Sequence, residues 1–241
     1  MAFPAPRIVP LGDAAVLADF SAKLDLATNA RIQQLAEAIR RRNVAWIRDV
    51  VPALGSLALH FDPERYEAAL SPLDAAAALI KDCLSRKLPN LEDLAKTVDV
   101  PVCYDADLGP DLVEVAERCK LTVADAIRRH CASAHRVLMV GFAPGHPYIG
   151  GLDEHLSVPR RTTPRPRVVA GSVAIANTQS VVYPFTISGG WSVIGRTPLK
   201  VFDAQREPPA LMGPGDRVKF HAISRGEFEN LSDQLTASAK R

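Results

Sequence analysis

The stretch Gly141-Phe142-Ala143-Pro144-Gly145-His146-Pro147-Tyr148-Ile149-Gly150-Gly151 holds four glycines and two prolines in eleven residues. Glycine admits positive φ and close backbone approach, and proline fixes φ. Such a loop either presents backbone N–H groups to an anion or carbonyl, or makes a tight barrel corner. Its surroundings share the texture. From His135 onward the apolar runs are short and β-like: Arg136–Val140, Val168–Ala176, Val193–Ile194 and Leu199–Phe202. Short strands separated by Gly/Pro turns predict an all-β sandwich or barrel. Gly213-Pro-Gly-Asp216 reads as a turn into a strand beginning at Arg217.

Upstream the pattern alternates strands with helices. Ala14–Phe20 reads as a strand, and residues 25–42 as a helix capped by Asp25, with Ile32, Leu35, Ala36 and Ile39 on one face. Ala45–Val51 and Ser56–Phe61 follow as strands. Ser71-Pro72-Leu73-Asp74 is a helix start, because serine caps, proline suits the first turn and aspartate meets the positive helix end. Thr97–Tyr104 reads as the next strand. The order strand–helix–strand–strand–helix–strand predicts an α+β domain of ferredoxin-like topology over residues 1–95. Two helices, Asp111–Cys119 and Leu121–Cys131, then lead into a mainly-β domain over residues 96–241. The second opens on Thr122 and Asp125 at capping-box spacing.

The chain has 241 residues, 47% apolar and 23% charged, with a net charge of +2. Such a chain can build a packed core, and its charge balance argues against general nucleic-acid binding. The first residues, Met1 to Arg7, have no basic region followed by an apolar stretch, and no run is long enough to span a bilayer. Cys83, Cys103, Cys119 and Cys131 lack metal or disulfide spacing and read as reduced thiols, which makes the cytoplasm the expected location. The six histidines show no metal-ligand spacing, so no metal site is expected.

Pro159-Arg-Arg-Thr-Thr-Pro-Arg-Pro-Arg167 places four arginines in eight residues on a proline-stiffened backbone. Arginine suits bidentate phosphate or carboxylate recognition, and a stiff backbone lowers the ordering cost. A solvated surface or a protein-contact patch has the same composition. Gly190 to Thr197 spells GxxxxG-Arg-Thr, close to a phosphate-binding P-loop, yet Pro198 and β-like residues follow where that loop requires a helix. Arg196 and Thr197 remain candidates for a different phosphate site. His130 falls on the helix face of Val123 and Ile127, the usual place of a structural histidine.

The string GFAPGHPYIGGL…PRRTTPRPRV, AGSVAIA, VYP and GGW.VIGRTPL resembles the allophanate hydrolase subunit 1 family, which includes the 5-oxoprolinase B-type subunits and a sporulation-kinase inhibitor. Leu11-Gly-Asp13, Asp49-Val-Val-Pro52, Asp62-Pro63, Gly109-Pro-Asp-Leu112 and Gly213-Pro-Gly-Asp216 carry the likeness through the rest of the chain. The resemblance implies a cyclophilin-like C-terminal barrel, without implying prolyl isomerase activity. It implies a second subunit of the allophanate hydrolase subunit 2 family and a LamB/YcsF-like third component. It also implies ATP-dependent opening of 5-oxoproline to glutamate, with magnesium accompanying the ATP and the nucleotide held at the subunit interface. His130, Arg161 and Arg165 are then the catalytic candidates. Arg160, Gln179, Tyr183, Trp191, Arg196 and Thr197 are the substrate- or phosphate-binding candidates, and Gly141, Gly145, His146, Gly189 and Gly190 the loop candidates. The family usually carries an aromatic residue at His146 and Gln-Thr-Gly at Gln179-Ser180-Val181. The valine is expected to narrow that loop, because valine resists positive φ. A non-enzymatic regulator of a histidine kinase and an accessory subunit of an allophanate- or urea-type amidohydrolase share the same motifs.

Overall fold

The computed structural model describes residues 5–20, 25–67, 69–91 and 95–238, so residues 1–4 of the opening segment and 92–94 near the expected domain boundary lie outside the described residues. The chain forms two compact units, Met1–Ala95 and Lys96–Arg241.

The first unit is a four-stranded antiparallel sheet under two helices. Its elements are β1 (Arg7–Pro10), β2 (Ala15–Asp19), α1 (Leu26–Arg41), β3 (Ile47–Pro52), β4 (Ser56–Phe61) and α2 (Pro72–Ser85), with sheet order β1-β2-β4-β3. Both helix starts follow from the local chemistry. The Asp25 carboxylate accepts from the amides of Ala27 and Thr28, and the Ser71 hydroxyl accepts from that of Asp74. Ile32, Leu35, Ala36 and Ile39 of α1 and Ile80 of α2 bury against Leu57, Leu59 and Phe61 of β4. The strand–helix–strand–strand–helix run is present, but Thr97–Val102 does not complete this sheet. The outer position beside β2 is taken by β1, which pairs along its whole length with Val16–Asp19.

The second unit is a nearly closed barrel. It comprises β5 (Thr97–Val102), α3 (Leu112–Arg118), α4 (Val123–Ala132), β6 (His135–Val140), β7 (Pro147–Gly150), β8 (Arg165–Val168), β9 (Ser172–Ala176), β10 (Gln179–Val182), β11 (Ile187–Gly189), β12 (Ser192–Arg196), β13 (Arg217–Ala222) and α5 (Arg225–Ser238). Seven strands run in the order β12-β9-β10-β7-β6-β13-β5, all antiparallel except the parallel pair β13–β5. Cys103, just beyond β5, and Arg196, at the end of β12, exchange backbone hydrogen bonds of 2.9 Å and join the two sheet ends. Gly195 makes that seam possible, since a Cβ there would meet Val102 and the Cys103 carbonyl.

The barrel wall formed by β9, β10 and β12 is buried on both faces. Val173, Ile175, Val182 and Ile194 point inward to a core shared with Val100, Ile149, Phe220 and the α3 residues Leu112 and Val115. Ala174, Ala176, Val181 and Val193 point outward to a smaller cluster with Val168, Tyr183 and Trp191. The ribbon β8–β11 covers that outer face. Three expectations are corrected here. Val168–Ala176 is two strands separated by a turn at Gly171, φ +81°. Leu199–Phe202 is no strand and makes only an isolated bridge from Phe202 to Ala210. Ser180 and Val181 lie within β10 rather than in a loop, a conformation β-branched residues favour, so valine replaces glycine without backbone strain.

A substitution at Gly109 tests the barrel packing, because a Cβ there would run into the Ile194 carbonyl. Gly109→Ala is expected to cost about 1–3 kcal/mol or more through overpacking. Gly226→Ala in α5, where nothing lies within reach, should be neutral or slightly stabilising. The urea midpoints of the two variants check this.

Candidate functional site

A cavity of about 280 Å³ opens on the outer face of the barrel wall. Its aromatic walls are Phe142, His146, Tyr148, Tyr183 and Trp191, and Arg160, Arg161, Pro164, Ser188, Gly189 and Gly190 complete the lining. Five segments meet there: the β6–β7 turn, the start of β7, the end of β10 at Tyr183, the arginine-rich segment 159–167, and the β11–β12 connection. The Arg161 amide donates to the Gly190 carbonyl at 2.8 Å, which stitches the last two together. Gly189 must lack a side chain, because a Cβ would occupy the space of the Tyr183 hydroxyl.

The four arginines have different fates. Asp111, with only 4% of its side chain exposed, takes both Arg161 and Arg165. Arg165 Nη1 and Nη2 donate to the two carboxylate oxygens at 2.7 and 2.6 Å, a bidentate fork, and Arg161 Nη1 donates to Oδ1 at 3.1 Å. The same carboxylate accepts the Val193 amide at 2.7 Å. Arg161 also reaches Glu114 at 3.4 Å. Arg165 is thus a brace held by a buried counter-ion, although its sequence context suggests a catalytic cation. Arg167 is exposed and lies outside the cavity lining. Arg160 makes no ion pair among the described residues; its guanidinium lies 5.3 Å from the centre of the Trp191 ring.

Asp111 is the residue that sequence reasoning passes over. A carboxylate at a helix start reads as a cap, yet its side chain makes no capping bond and turns to the arginines instead. Tyr148 and Phe142 carry no mark in the sequence either. Phe142 holds φ +72° and is 69% exposed on the cavity wall.

Several sequence candidates lie elsewhere. His130 is fully buried in the barrel core, with Nδ1 2.7 Å from the Tyr104 hydroxyl, Nε2 3.3 Å from Ser180 Oγ, and its ring stacked near Phe220. Burial, reinforced by His135, holds its pKa well below the usual histidine range. It does not line the cavity, so a proton-transfer role there would need a rearranged core. Arg196 donates from Nε to the Ala170 carbonyl at 3.0 Å and faces a second, smaller cleft with Arg165 and Arg167. Thr197 is buried, its hydroxyl accepting the Leu199 amide. Gln179 is buried at the start of β10 with Nε2 unpartnered among the described residues. Gly141 and Gly145 shape the β6–β7 turn: the Gly141 amide donates to the His146 carbonyl, and Gly145, φ +70°, packs on Phe202.

Two titratable rings of the cavity are uncharged at neutral pH. Burial, with help from Tyr148, pushes the Tyr183 phenol up to about 12, so it stays protonated and able to donate. Burial lowers His146 to about 4 and leaves it uncharged at neutral pH. Among the described residues no group of three or more His, Cys, Asp or Glu is placed to hold a metal ion, and no helix is long and apolar enough to cross a membrane. The four cysteines are free thiols.

Asp111→Ala is expected to destabilise the second unit by about 3 kcal/mol, since it strands two partly buried guanidinium groups and a buried amide. Asp107→Ala, which removes an exposed pair with Arg225, should change stability by less than about 1 kcal/mol. Denaturant titration separates the two. Acid should weaken the fold through His135 and His146, each lowered to about 4 by burial. Their contribution is complete above pH ~6.5. It is lost as pH falls toward ~4, because only the unfolded chain takes up the protons in that window, on the order of 3 kcal/mol for each group. A flat urea midpoint across that window would contradict this.

Over residues 6–212 the chain matches the family described as carboxyltransferase domain, subdomain C and D. It is similar to the 5-oxoprolinase B-type subunit of Bacillus subtilis (strain 168), 34% identical over 233 residues that make up 95% of this chain and 97% of that protein. It is similar also to the corresponding 5-oxoprolinase polypeptide of Escherichia coli O157:H7, 35% identical over 215 residues, 89% of this chain and 94% of that protein. Among solved structures, TTHA0988 superposes with a TM-score of 0.75 at 36% identity, covering 87% of this chain and 40% of that longer chain. The urea carboxylase of Kluyveromyces lactis shares the fold, with a TM-score of 0.74 at 20% identity over 95% of this chain and 23% of that one.

Proposed function

The chain belongs to the carboxyltransferase-domain family, subdomain C and D, and on that footing we propose that it is the B-type subunit of an ATP-dependent 5-oxoprolinase whose small-molecule pocket is the aromatic cavity around Arg160. The observation that carries this reading is Arg160 itself. It is a guanidinium without a carboxylate partner among the described residues, laid against Trp191 at the wall of a cavity otherwise lined mainly by rings and uncharged polar groups. A small ring bearing one carboxylate fits that chemistry: its anion meets Arg160 and its flat faces meet the aromatic walls.

A lactam carbonyl is a weak electrophile. In the proposed reaction its oxygen takes the γ-phosphoryl group of ATP and ADP leaves. Water then adds to the activated carbon, the ring C–N bond breaks as nitrogen gains a proton, and a second water hydrolyses the resulting acyl phosphate to give glutamate and phosphate. Such transfer depends chiefly on positioning and charge stabilisation. Within this chain Arg160 holds the substrate carboxylate. Arg161, anchored by Asp111 and still 30% exposed, faces the same space. The Tyr183 phenol donates toward a carbonyl oxygen, and Asp111 positions both Arg161 and the neighbouring strand. The cavity is smaller than the roughly 300–1,000 Å³ typical of sites for drug-sized ligands. It suits a five-membered ring and leaves ATP and its magnesium to the interface with a second polypeptide. That partner is of the allophanate hydrolase subunit 2 type, with a LamB/YcsF-like protein as third component, in the cytoplasm.

The chain purified with both partners should hydrolyse ATP in response to 5-oxoproline. Arg160→Ala, and to a lesser degree Arg161→Ala, should lower that activity by roughly 10- to 1000-fold, with Arg160→Lys recovering part of it. No response to 5-oxoproline would shift the reading to a non-enzymatic regulator of a histidine kinase or an accessory of a urea-type amidohydrolase.

A further inference from the structure

The smaller cleft of the second unit, about 160 Å³, lies where the loop before α3 meets β8, β9 and β12. Arg165, Arg167, Ser172 and Arg196 bring its polar groups, and Leu108, Val168 and Val193 are among its apolar walls. Strand geometry aims these side chains at one place. Arg165 and Arg167 are two apart on β8 and so share a face of that strand. Arg196 of β12 and Ser172 of β9 are direct cross-strand partners, and Ser172 falls on the outward face of β9 with Ala174 and Ala176. The Arg196 side chain is held by its Nε, which donates to the Ala170 carbonyl at 3.0 Å.

The ion pairs around the cleft leave two of its cations over. Arg165 is matched by the buried Asp111. Asp107, the acid in the lining, is paired with Arg225 at 2.6 Å. Arg167 and Arg196 have no carboxylate partner among the described residues, and the Nη atoms of Arg196 make no hydrogen bond to them. Burial lowers the Arg196 pKa, as it does for a cation that has lost water without gaining a counter-charge. The hydroxyl of Ser172, a buried residue, likewise has no hydrogen-bond partner among the described residues. Charge of one sign between apolar walls focuses the field on the space between.

We propose that this cleft is a phosphate-group site, separate from the aromatic cavity, with the guanidinium groups of Arg167 and Arg196 and the Ser172 hydroxyl as its donors. Two guanidinium groups and a hydroxyl converging on one point suit a multiply charged, many-oxygened anion better than a single carboxylate, which one fork satisfies. The space is well below the roughly 300–1,000 Å³ of sites for drug-sized ligands, so it takes the phosphate itself and leaves the rest of any larger molecule outside. A free phosphate ion and the phosphate of a nucleotide share this chemistry. The assignment stands apart from the reading of the aromatic cavity as the 5-oxoproline site. The two places are nevertheless neighbours: Asp111 holds both Arg161, which lines the cavity, and Arg165, which lines the cleft.

The test is a calorimetric titration of the full chain with inorganic phosphate and, separately, with ADP, in about 0.15 M KCl so that diffuse surface charge is screened. Wild type should bind at least one of them one-to-one with Kd below about 1 mM. Arg167→Gln and Arg196→Gln should each weaken that binding roughly 10- to 100-fold, as for a lost charge-assisted hydrogen bond. Arg160→Gln at the aromatic cavity, and Arg7→Gln at an exposed position of the first unit, should leave it within about twofold. ADP held more tightly than phosphate, with the same sensitivity to Arg167 and Arg196, identifies a nucleotide as the source. Phosphate held as tightly as ADP, or more so, identifies the free ion. Saturation by neither ligand overturns the assignment. So does a loss that follows Arg160→Gln instead, or one equal in all four variants. Should Arg196→Gln fail to fold for want of its bond to Ala170, Arg167→Gln at an exposed position still decides.

Discussion

One buried carboxylate organises the second unit. Asp111 accepts from Arg165 through both oxygens, from Arg161, and from the Val193 amide. It thereby fastens the start of α3 and the arginine-rich segment to β12. A carboxylate this deeply buried is tolerated only because charged and backbone donors surround it. The arrangement also sets the charge of the neighbourhood. Two guanidinium groups are drawn against one aspartate, and Arg160 is left facing the aromatic wall. A cluster that looks uniformly cationic in one dimension is, in three, a brace beside a cation that rests on a ring.

The second constraint is a sheet buried on both faces. β9, β10 and β12 serve the barrel core with one set of side chains and the outer cluster with the other. The cavity wall is therefore backed by packed sheet, and Tyr183 and Trp191 stand at strand ends rather than on free loops. Aromatic side chains so supported have little freedom left to lose, which lowers the ordering cost of a small ligand. The same wall separates His130 from the cavity. Ser180 and Val182 point inward with it, while Val181 and Tyr183 point outward. Residues adjacent in one motif thus end on opposite faces of one strand.

Local chemistry is the most legible part. The caps at Asp25, Ser71 and Thr122 declare themselves because each bonds within three residues of its own position. The apolar stripe of α1 repeats with the helical period. The two-faced strands are harder: Ser-Val-Ala-Ile-Ala at β9 is buried at every position and has no alternation to read. β1 is four residues long and sits among prolines, so it leaves no strand signal, and the strand that edges the first sheet goes unseen with it. The strand at Thr97 is visible as a strand, but its partner β13 lies more than a hundred residues away in sequence.

The amino-acid sequence by itself determined the capped starts of α1, α2 and α4, the change from mixed to β texture near His135, the family motifs and the presence of a stiff, arginine-rich segment, while α5 went unread. Each of these is written in side-chain types a few residues apart. Only the tertiary structure decided which arginine faces the aromatic wall, that Asp111 anchors two of the others, that His130 is sealed in the core, and that His146 stands in an aromatic box. Those outcomes depend on which face of a strand each side chain takes and on contacts between segments distant in the chain, such as Arg161 with Asp111. The physical reason is that charge pairing and burial are set by distance in space, and the sheet closure that fixes those distances is itself long-range.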